Sequence, residues 1–146
     1  MPGPADTARQ RFRDGYNCSQ SVLLAFADAF DLPPGLALRL AAPFGGGIGR
    51  TGETCGAVTG ALMVLGLRHA STVASDQEAK DRQYQLARDL LAQFKRRHGS
   101  TLCRELLGCE ILTPEGRQRA HDRGLFDEIC PRLVADAAEL VSGFVK

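Results

Sequence analysis

The sequence has almost no excess of positive or negative charge, which argues against binding partners that are strongly charged. Its 146 residues carry 18 basic and 17 acidic side chains, for a formal net charge of +1. Binding to nucleic acid or to an anionic membrane surface depends on clustered excess charge. We therefore expect a protein that binds neither nucleic acid nor a charged membrane surface.

Long apolar runs are also missing. No stretch reaches the roughly 18 unbroken apolar residues of a membrane-spanning helix, and residues 57–67, which come nearest, are interrupted by Thr59 and two glycines. The first fifteen residues lack the apolar core of a secretion signal. We therefore expect no membrane segment and a cytoplasmic location, where thiols are mostly reduced.

Signals for β-structure are missing as well, because no alternation of apolar and polar residues is bounded by hairpin turns. Helix caps, prolines and glycine stops recur instead. The pattern predicts an all-α fold, a single domain over residues 1–146 with about six or seven helices. Disorder of residues 1–10 is left open. A chain of this length buries roughly two thirds of its surface, so its core needs no disulfide or metal.

The helix signals place the predicted segments along the chain. They run from Ala5 or Asp6 to Arg13, from the cap Asn17 with Gln20 to about Phe30, from Leu36 to Ala42, from the cap Thr54 to about Arg68, from the capping box Ser75 and Glu78 to Gly99, from the cap Ser100 to Leu107, from Thr113 and Pro114 to near Gly124, and from Cys130 and Pro131 to the end.

The predicted helix over 55–68 follows a glycine-rich loop, carries almost no charge and should be buried. Gly56 and Gly60, with Ala57 and Ala61 beside them, give it a face of small residues at four-residue spacing. A second helix can approach such a face closely. Packing within the chain and homodimer formation through this face both remain open.

The five cysteines have no Cys-x-x-Cys spacing, and the nearest pair, Cys103 and Cys109, is six residues apart. Any shared site must therefore be assembled by the fold. Backbone N–H groups and the helix dipole stabilise a thiolate at the start of a helix. Four cysteines fall at predicted helix starts: Cys18 after Asn17, Cys55 after Thr54, Cys103 three residues after Ser100, and Cys130 at the cap before Pro131.

A single cysteine is most simply a small buried residue without chemical duty. Four at helix starts favour chemistry. We expect Cys18, Cys55 and Cys130, with Cys103, to share one site. We also expect Cys55 to be the most nucleophilic thiol, with Arg50 close enough to help.

The loop over residues 45–52 contains a superficial match to the dinucleotide fingerprint at Gly47, Gly49 and Gly52. That fingerprint needs a preceding strand, whereas residues 36–43 are predicted to be helical. Glycines in such a loop can instead expose N–H groups as an anion-binding nest. We predict substrate or anion binding at Gly47, Gly49, Arg50 and Gly52, with a tight helix connection as the alternative.

The motif Cys55-Gly56-Ala57-Val58-Thr59-Gly60 resembles that of a redox-active protein family named for this motif and further separated cysteines. Four other segments resemble the same family: residues 15–20, 44–50, 99–106 and Cys130-Pro131. The resemblance implies that Cys18, Cys55, Cys103 and Cys130 are the family cysteines and leaves the role of Cys109 open. It implies redox or metal chemistry at these thiols and names no substrate.

Three hypotheses follow. In the first, the chain is a cytoplasmic thiol redox protein, in which Cys55 attacks a disulfide or an oxidant and Cys18, Cys103 or Cys130 resolves the intermediate. Its redox partner or small molecule is unknown. In the second, the same four cysteines bind zinc or an iron–sulfur cluster. In the third, the chain is a helical interaction protein with inert buried cysteines.

Overall fold

The computed structural model describes residues 2–146, and all regular structure in this range is helical. Eight helices have five or more residues, close to the six or seven predicted, and two more, α4 and α9, are single turns. The helices are α1 (Pro4–Arg13), α2 (Cys18–Ala27), α3 (Pro34–Ala41), α4 (Gly45–Ile48), α5 (Gly56–His69), α6 (Gln77–His98), α7 (Cys103–Leu107), α8 (Pro114–Asp122), α9 (Leu125–Glu128) and α10 (Cys130–Phe144).

Helix α5 is the central helix of the bundle, as its apolar sequence predicts. Helices α2, α6 and α10 pack around it, and α1 packs against α2 and α10. Residues 4–10, for which disorder was left open, belong to α1, and Ala8 is fully buried. No helix within residues 2–146 is long and apolar enough to span a membrane. The centre of the core is built from apolar side chains of four helices, α2, α5, α6 and α10: Val22, Leu23, Val58, Val64, Leu65, Leu90, Phe94, Val134 and Val141.

The small-residue face of α5 is covered by α2 of the same chain. A Cβ atom built at Gly60 would lie 2.7 Å from the carbonyl oxygen of Ser19, and one built at Gly56 would lie 2.9 Å from the Cβ atom of Cys18. Real Cβ atoms do not approach other atoms so closely, so both positions require glycine. Because α2 of the same chain covers this face, the alternative of a homodimer through Gly56 and Gly60 is wrong.

Several predicted caps are confirmed. Asn17 and Gln20 form a reciprocal capping box, in which each side chain accepts a hydrogen bond from the backbone N–H of the other. The hydroxyl of Thr113 accepts the N–H of Gly116 at 3.0 Å at the start of α8. Gly99 and Gly108 end α6 and α7 in left-handed conformations, at φ 85° and 67°.

Three predicted caps are wrong. Thr54 pairs with Leu102 in an isolated antiparallel bridge, so the extended chain continues to Cys55, which is itself the N-cap of α5. The same bridge keeps Leu102 extended, so α7 begins only at Cys103. Leu102 is its N-cap, and Ser100 lies two residues before it. Asp76 replaces Ser75 at the start of α6, because its carboxylate accepts the N–H of Ala79 at 3.1 Å.

Three helix ends also differ from the predicted ones. Helix α3 begins at Pro34, two residues early, because proline is well suited to a first helical position. Helix α2 ends at Ala27 and continues as a single tighter turn to Phe30. Cys130 is the first residue of α10 and not its cap.

The close contact between α2 and α5 predicts opposite effects for two alanine substitutions in one helix. Gly60→Ala forces a methyl group against the Ser19 carbonyl and should lower the free energy of unfolding by about 1–3 kcal/mol. Gly66→Ala meets no atom within 4 Å and should raise it by about 0.5–1 kcal/mol, through helix propensity. Urea unfolding measures both values. Equal effects at the two positions would contradict the packing described.

Candidate functional site

Four helix starts converge on one region of the fold, and each carries a cysteine. Cys18, Cys103 and Cys130 are the first residues of α2, α7 and α10, and Cys55 is the N-cap of α5. The predicted placement of four thiols at helix starts is therefore confirmed, with no shift of the cap before Cys18 and shifts of one or two residues at the other three. We call Cys18, Cys55, Cys103 and Cys130 the thiol cluster.

Two backbone hydrogen bonds hold Cys55 and Cys103 side by side. The N–H of Cys55 donates to the carbonyl of Thr101 at 2.8 Å, and the N–H of Cys103 donates to the carbonyl of Glu53 at 2.7 Å. These bonds flank the bridge between Thr54 and Leu102. The short extended pairing thus fixes the starts of α5 and α7 relative to each other.

Cys18 joins the other thiols through its side chain. Hydrogen bonding with the thiols of Cys130 and then Cys55 is the main cause that raises the pKa of Cys18, so the three side chains are neighbours. The missing side chain of Gly56 leaves the space that Cys18 occupies. Cys18 is partly exposed, whereas Cys55, Cys130 and Cys103 are only 3%, 6% and 9% exposed. The structure therefore brings together the cysteines that the sequence predicted to share a site.

Cys109 packs against the apolar cluster that contains Cys103 and Cys130, but it is not among the groups that shift the pKa values of Cys18, Cys55 and Cys103. Its sulfur contacts the carbonyl oxygens of Glu110 at 3.5 Å and Gly116 at 3.6 Å. All five cysteines are free thiols. The thiol cluster thus has the reduced form that reaction with a disulfide or an oxidant requires.

The environment of Cys55 favours its ionised form. The hydrogen bond from the Cys18 thiol holds the pKa of the Cys55 thiol below its ordinary value, and the backbone N–H groups of Ala57 and Val58 act in the same direction. Burial opposes them, since it disfavours a charged group. The oriented donors act at contact distance and prevail. Arg50, which we expected to assist, is exposed and is not among the groups that lower this pKa.

The neighbouring thiols are held in the protonated form. Hydrogen bonding to Cys130, then to Cys55, raises the pKa of Cys18 well above its ordinary value, and burial adds to the shift. Burial raises the pKa of Cys103 to about 12, with further contributions from the charges of Cys55, Cys130 and Glu110. The arrangement therefore sets Cys55, whose pKa is lowered, beside two thiols, Cys18 and Cys103, whose pKa values are raised.

The glycine loop before α5 is a left-handed turn that lies against the thiol cluster. Five consecutive residues, 46–50, have φ values between 61° and 67°. A Cβ atom built at Gly47 would lie 2.6 Å from the Cβ atom of Cys103, so only glycine fits there. Ile48 and Arg50 adopt the same conformation with side chains, at a cost of about 1–2 kcal/mol each.

The N–H groups of this loop are largely used within it. Those of Gly49, Arg50 and Gly52 donate to the carbonyl oxygens of residues 43, 45 and 46. Three of the four residues predicted to form an anion nest therefore bind their own loop through the backbone. Within residues 2–146 the side chain of Arg50 makes no hydrogen bond or ion pair, so its guanidinium remains available to an anion.

Metal binding gains no support from the geometry. Across residues 2–146, no group of three or more histidine, cysteine or acidic side chains is arranged to hold a metal ion. The zinc or iron–sulfur alternative at Cys18, Cys55, Cys103 and Cys130 thus stays a hypothesis drawn from the sequence.

A family model described as a putative redox-active protein (C_GCAxxG_C_C) matches residues 16–144. The chain belongs to this family. Searches of curated proteins and of solved structures returned no match.

The name of the C_GCAxxG_C_C family specifies one cysteine before a cysteine-containing motif and two after it. Here Cys18 precedes the Cys55 motif, and three cysteines follow it. The thiol cluster contains Cys103 and Cys130 but not Cys109. The geometry thus groups with the motif the same two cysteines that the resemblance implied.

Sequence reasoning missed the extended pairing of residues 53–55 with 101–103. No local signal marks it, since the two segments are nearly fifty residues apart. It also missed the left-handed backbone of Ile48 and Arg50, because side-chain-bearing residues rarely adopt it. The density of glycines in residues 45–52 was the one available sign of unusual backbone geometry.

The influence of Cys18 on the pKa of Cys55 predicts how the alkylation rate of Cys55 depends on pH. Cys18→Ala removes the donor and should raise the pH midpoint of Cys55 alkylation by about one to two units, the value of one charge-assisted hydrogen bond. Cys18→Ser retains a donor and should shift the midpoint less. Alkylation rates against pH, with peptide mass mapping, measure both. Cys109→Ser is the control, and an unchanged midpoint in Cys18→Ala would contradict the assignment.

The raised pKa of Cys103 predicts a loss of stability in alkali. An unfolded thiol loses its proton near pH 9.0, while folded Cys103 keeps it to about pH 12. Unfolding therefore releases a proton in this window, and the free energy of unfolding falls as the pH rises through it. Cys103→Ala should reduce this slope, as measured by urea unfolding at several pH values. Leu107→Ala, a buried substitution on the same helix that removes no ionisable group, should keep the wild-type slope, and an unchanged slope in Cys103→Ala would refute the prediction.

Proposed function

We propose that this protein is a thiol redox protein in which Cys55 is the attacking thiolate and Cys18 is the resolving thiol. The contact between Cys18 and the start of α5 carries the proposal, because Cys18 packs against Gly56, the residue next to Cys55, and so lies beside the cysteine with which it must form a disulfide. Cys18 also stabilises the thiolate of Cys55, which is the reactive form. Five free thiols fit a reducing compartment, and we propose the cytoplasm.

The reaction proceeds in two exchanges with a low-molecular-weight disulfide. The Cys55 thiolate attacks one substrate sulfur, forms a mixed disulfide and releases the other half as a thiolate. The Cys18 sulfur then attacks the sulfur of Cys55, and the proton of Cys18 passes to the second departing thiolate. The substrate is reduced to one thiolate, released in the first exchange, and one thiol, and the protein acquires a Cys18–Cys55 disulfide.

Cys18 suits the resolving role better than Cys103 does. Cys18 packs against Gly56 and makes the largest contribution to the lowered pKa of Cys55, so its side chain lies next to the intermediate. Cys103 interacts with Cys55 only through charge. Cys130 is a neighbour of Cys18. In a later exchange the sulfur of Cys130 attacks that of Cys18, forms a Cys18–Cys130 disulfide and releases the Cys55 thiolate.

Access to Cys55 requires movement, since only 3% of the residue is exposed. The glycine loop lies against the thiol cluster at Gly47, and Gly45 packs on Asn17, the neighbour of Cys18. Displacing this loop would uncover the cluster. The strained backbone of Ile48 and Arg50 lowers the free energy that such a displacement needs.

Peptide mapping after oxidation tests the proposed function. Reduced protein treated with one equivalent of a small disulfide should form the Cys18–Cys55 disulfide. Cys18→Ser should stop at a mixed disulfide on Cys55, and Cys55→Ser should form neither product. Cys109→Ser should react like the wild type.

The metal hypothesis makes a different prediction for the same protein. Anaerobically purified protein would then contain stoichiometric zinc or iron, and its cysteines would react only after a chelator removed the metal. That result, together with no Cys18–Cys55 disulfide in the metal-free form, would replace the redox proposal.

A further inference from the structure

A cleft of about 520 Å³ lies beside the thiol cluster, on the side of the glycine loop. Phe12, Phe126 and Ile111 line it together with Asn17, Arg50 and Arg117. The first three of these side chains also pack in the cluster of apolar residues that contains Cys103 and Cys130. The side chains that line the cleft therefore also belong to the apolar packing around Cys103 and Cys130.

Two positive charges and no negative charge line this cleft. Neither Arg50 nor Arg117 has a carboxylate within 4.0 Å among residues 2–146. One nitrogen of Arg117 donates to the carbonyls of Ile111 and Leu112 at 3.1 and 3.0 Å, which fixes the guanidinium at the cleft. The remaining N–H groups of both side chains are free to bind an anion.

The position of Arg50 depends on strained backbone. Arg50 has a φ of 66°, and a Cβ atom built at Gly46 would lie 2.7 Å from its Cγ atom. The arginine stem therefore packs over a glycine that has no side chain to displace it. Strained conformations of this kind persist mainly where a functional position requires them.

We propose that this cleft binds the carboxylate-bearing ends of a small aromatic or otherwise flat disulfide, the substrate class of Cys55. The inference rests on the proposed function. Two guanidinium groups suit carboxylates, which they bind through paired hydrogen bonds. The rings of Phe12 and Phe126 supply apolar surface for the rest of the molecule, and the volume is that of a small-molecule site.

Two disulfide probes separate charge recognition from thiol reactivity. The disulfide of thionitrobenzoate carries a carboxylate on each ring, whereas the disulfide of thiopyridine is uncharged. Arg50→Gln and Arg117→Gln should each slow the reaction of Cys55 with the first probe about three- to tenfold and leave the second unchanged. Arg119→Gln, also on α8 but outside the cleft, is the matched control and should react like the wild type.

A probe without a disulfide tests the cleft independently of the thiols. Biphenyl dicarboxylate should bind the wild-type protein in calorimetric titration, more weakly in Arg50→Gln and Arg117→Gln, and normally in Arg119→Gln. Arginine-dependent binding without reaction at Cys55 would keep the acid-binding cleft and overturn the proposed function. Equal slowing of both disulfides, no slowing of either, or binding independent of the two arginines would overturn the cleft assignment.

Discussion

Helix α2 lies against α5 with no side chain between the two backbones at Gly56 and Gly60, and this contact places Cys18 beside Cys55. The other thiols are added by contacts with the same pair. The paired segments before α5 and α7 bring Cys103, and the start of α10 brings Cys130 to the thiol of Cys18. A longer side chain at Gly56 would separate the two helices and with them the pair of sulfur atoms on which the proposed reaction depends.

Burial alone would keep every thiol of the cluster protonated, because a charged group loses its hydration inside a protein. Cys55 differs because it receives hydrogen bonds from a neighbouring thiol and from two backbone N–H groups of its own helix. Cys103 is also at a helix start, yet burial governs its pKa. A helix start is therefore insufficient by itself. What lowers the pKa of a buried thiol here is a hydrogen-bond donor directed at its sulfur. The protonated thiol of Cys18 is that donor for Cys55.

The parts of this structure that local chemistry controls could be predicted from the sequence. Asn17 and Gln20 begin α2, Pro114 and Pro131 lie at helix starts, and Gly99 and Gly108 end helices, each for reasons within a few residues. The convergence of four cysteines was also expected, because all four lie at predicted helix starts. The cap at Cys55 did not, because the pairing of Thr54 with Leu102 overrides the local preference of threonine. The cleft between Arg50 and Arg117 was equally hidden, since it depends on left-handed backbone and on tertiary packing.

The central claim is that neighbouring groups lower the pKa of one thiol of the cluster, Cys55. An ultraviolet titration of thiolate absorbance tests this claim most directly. The folded, reduced and metal-free protein should show a single thiolate that forms below the ordinary thiol pKa. This transition should vanish in Cys55→Ser, and Cys18 and Cys103 should titrate above the ordinary thiol range. A wild-type protein in which no thiolate forms below that range, or in which Cys55→Ser retains the transition, would contradict the account.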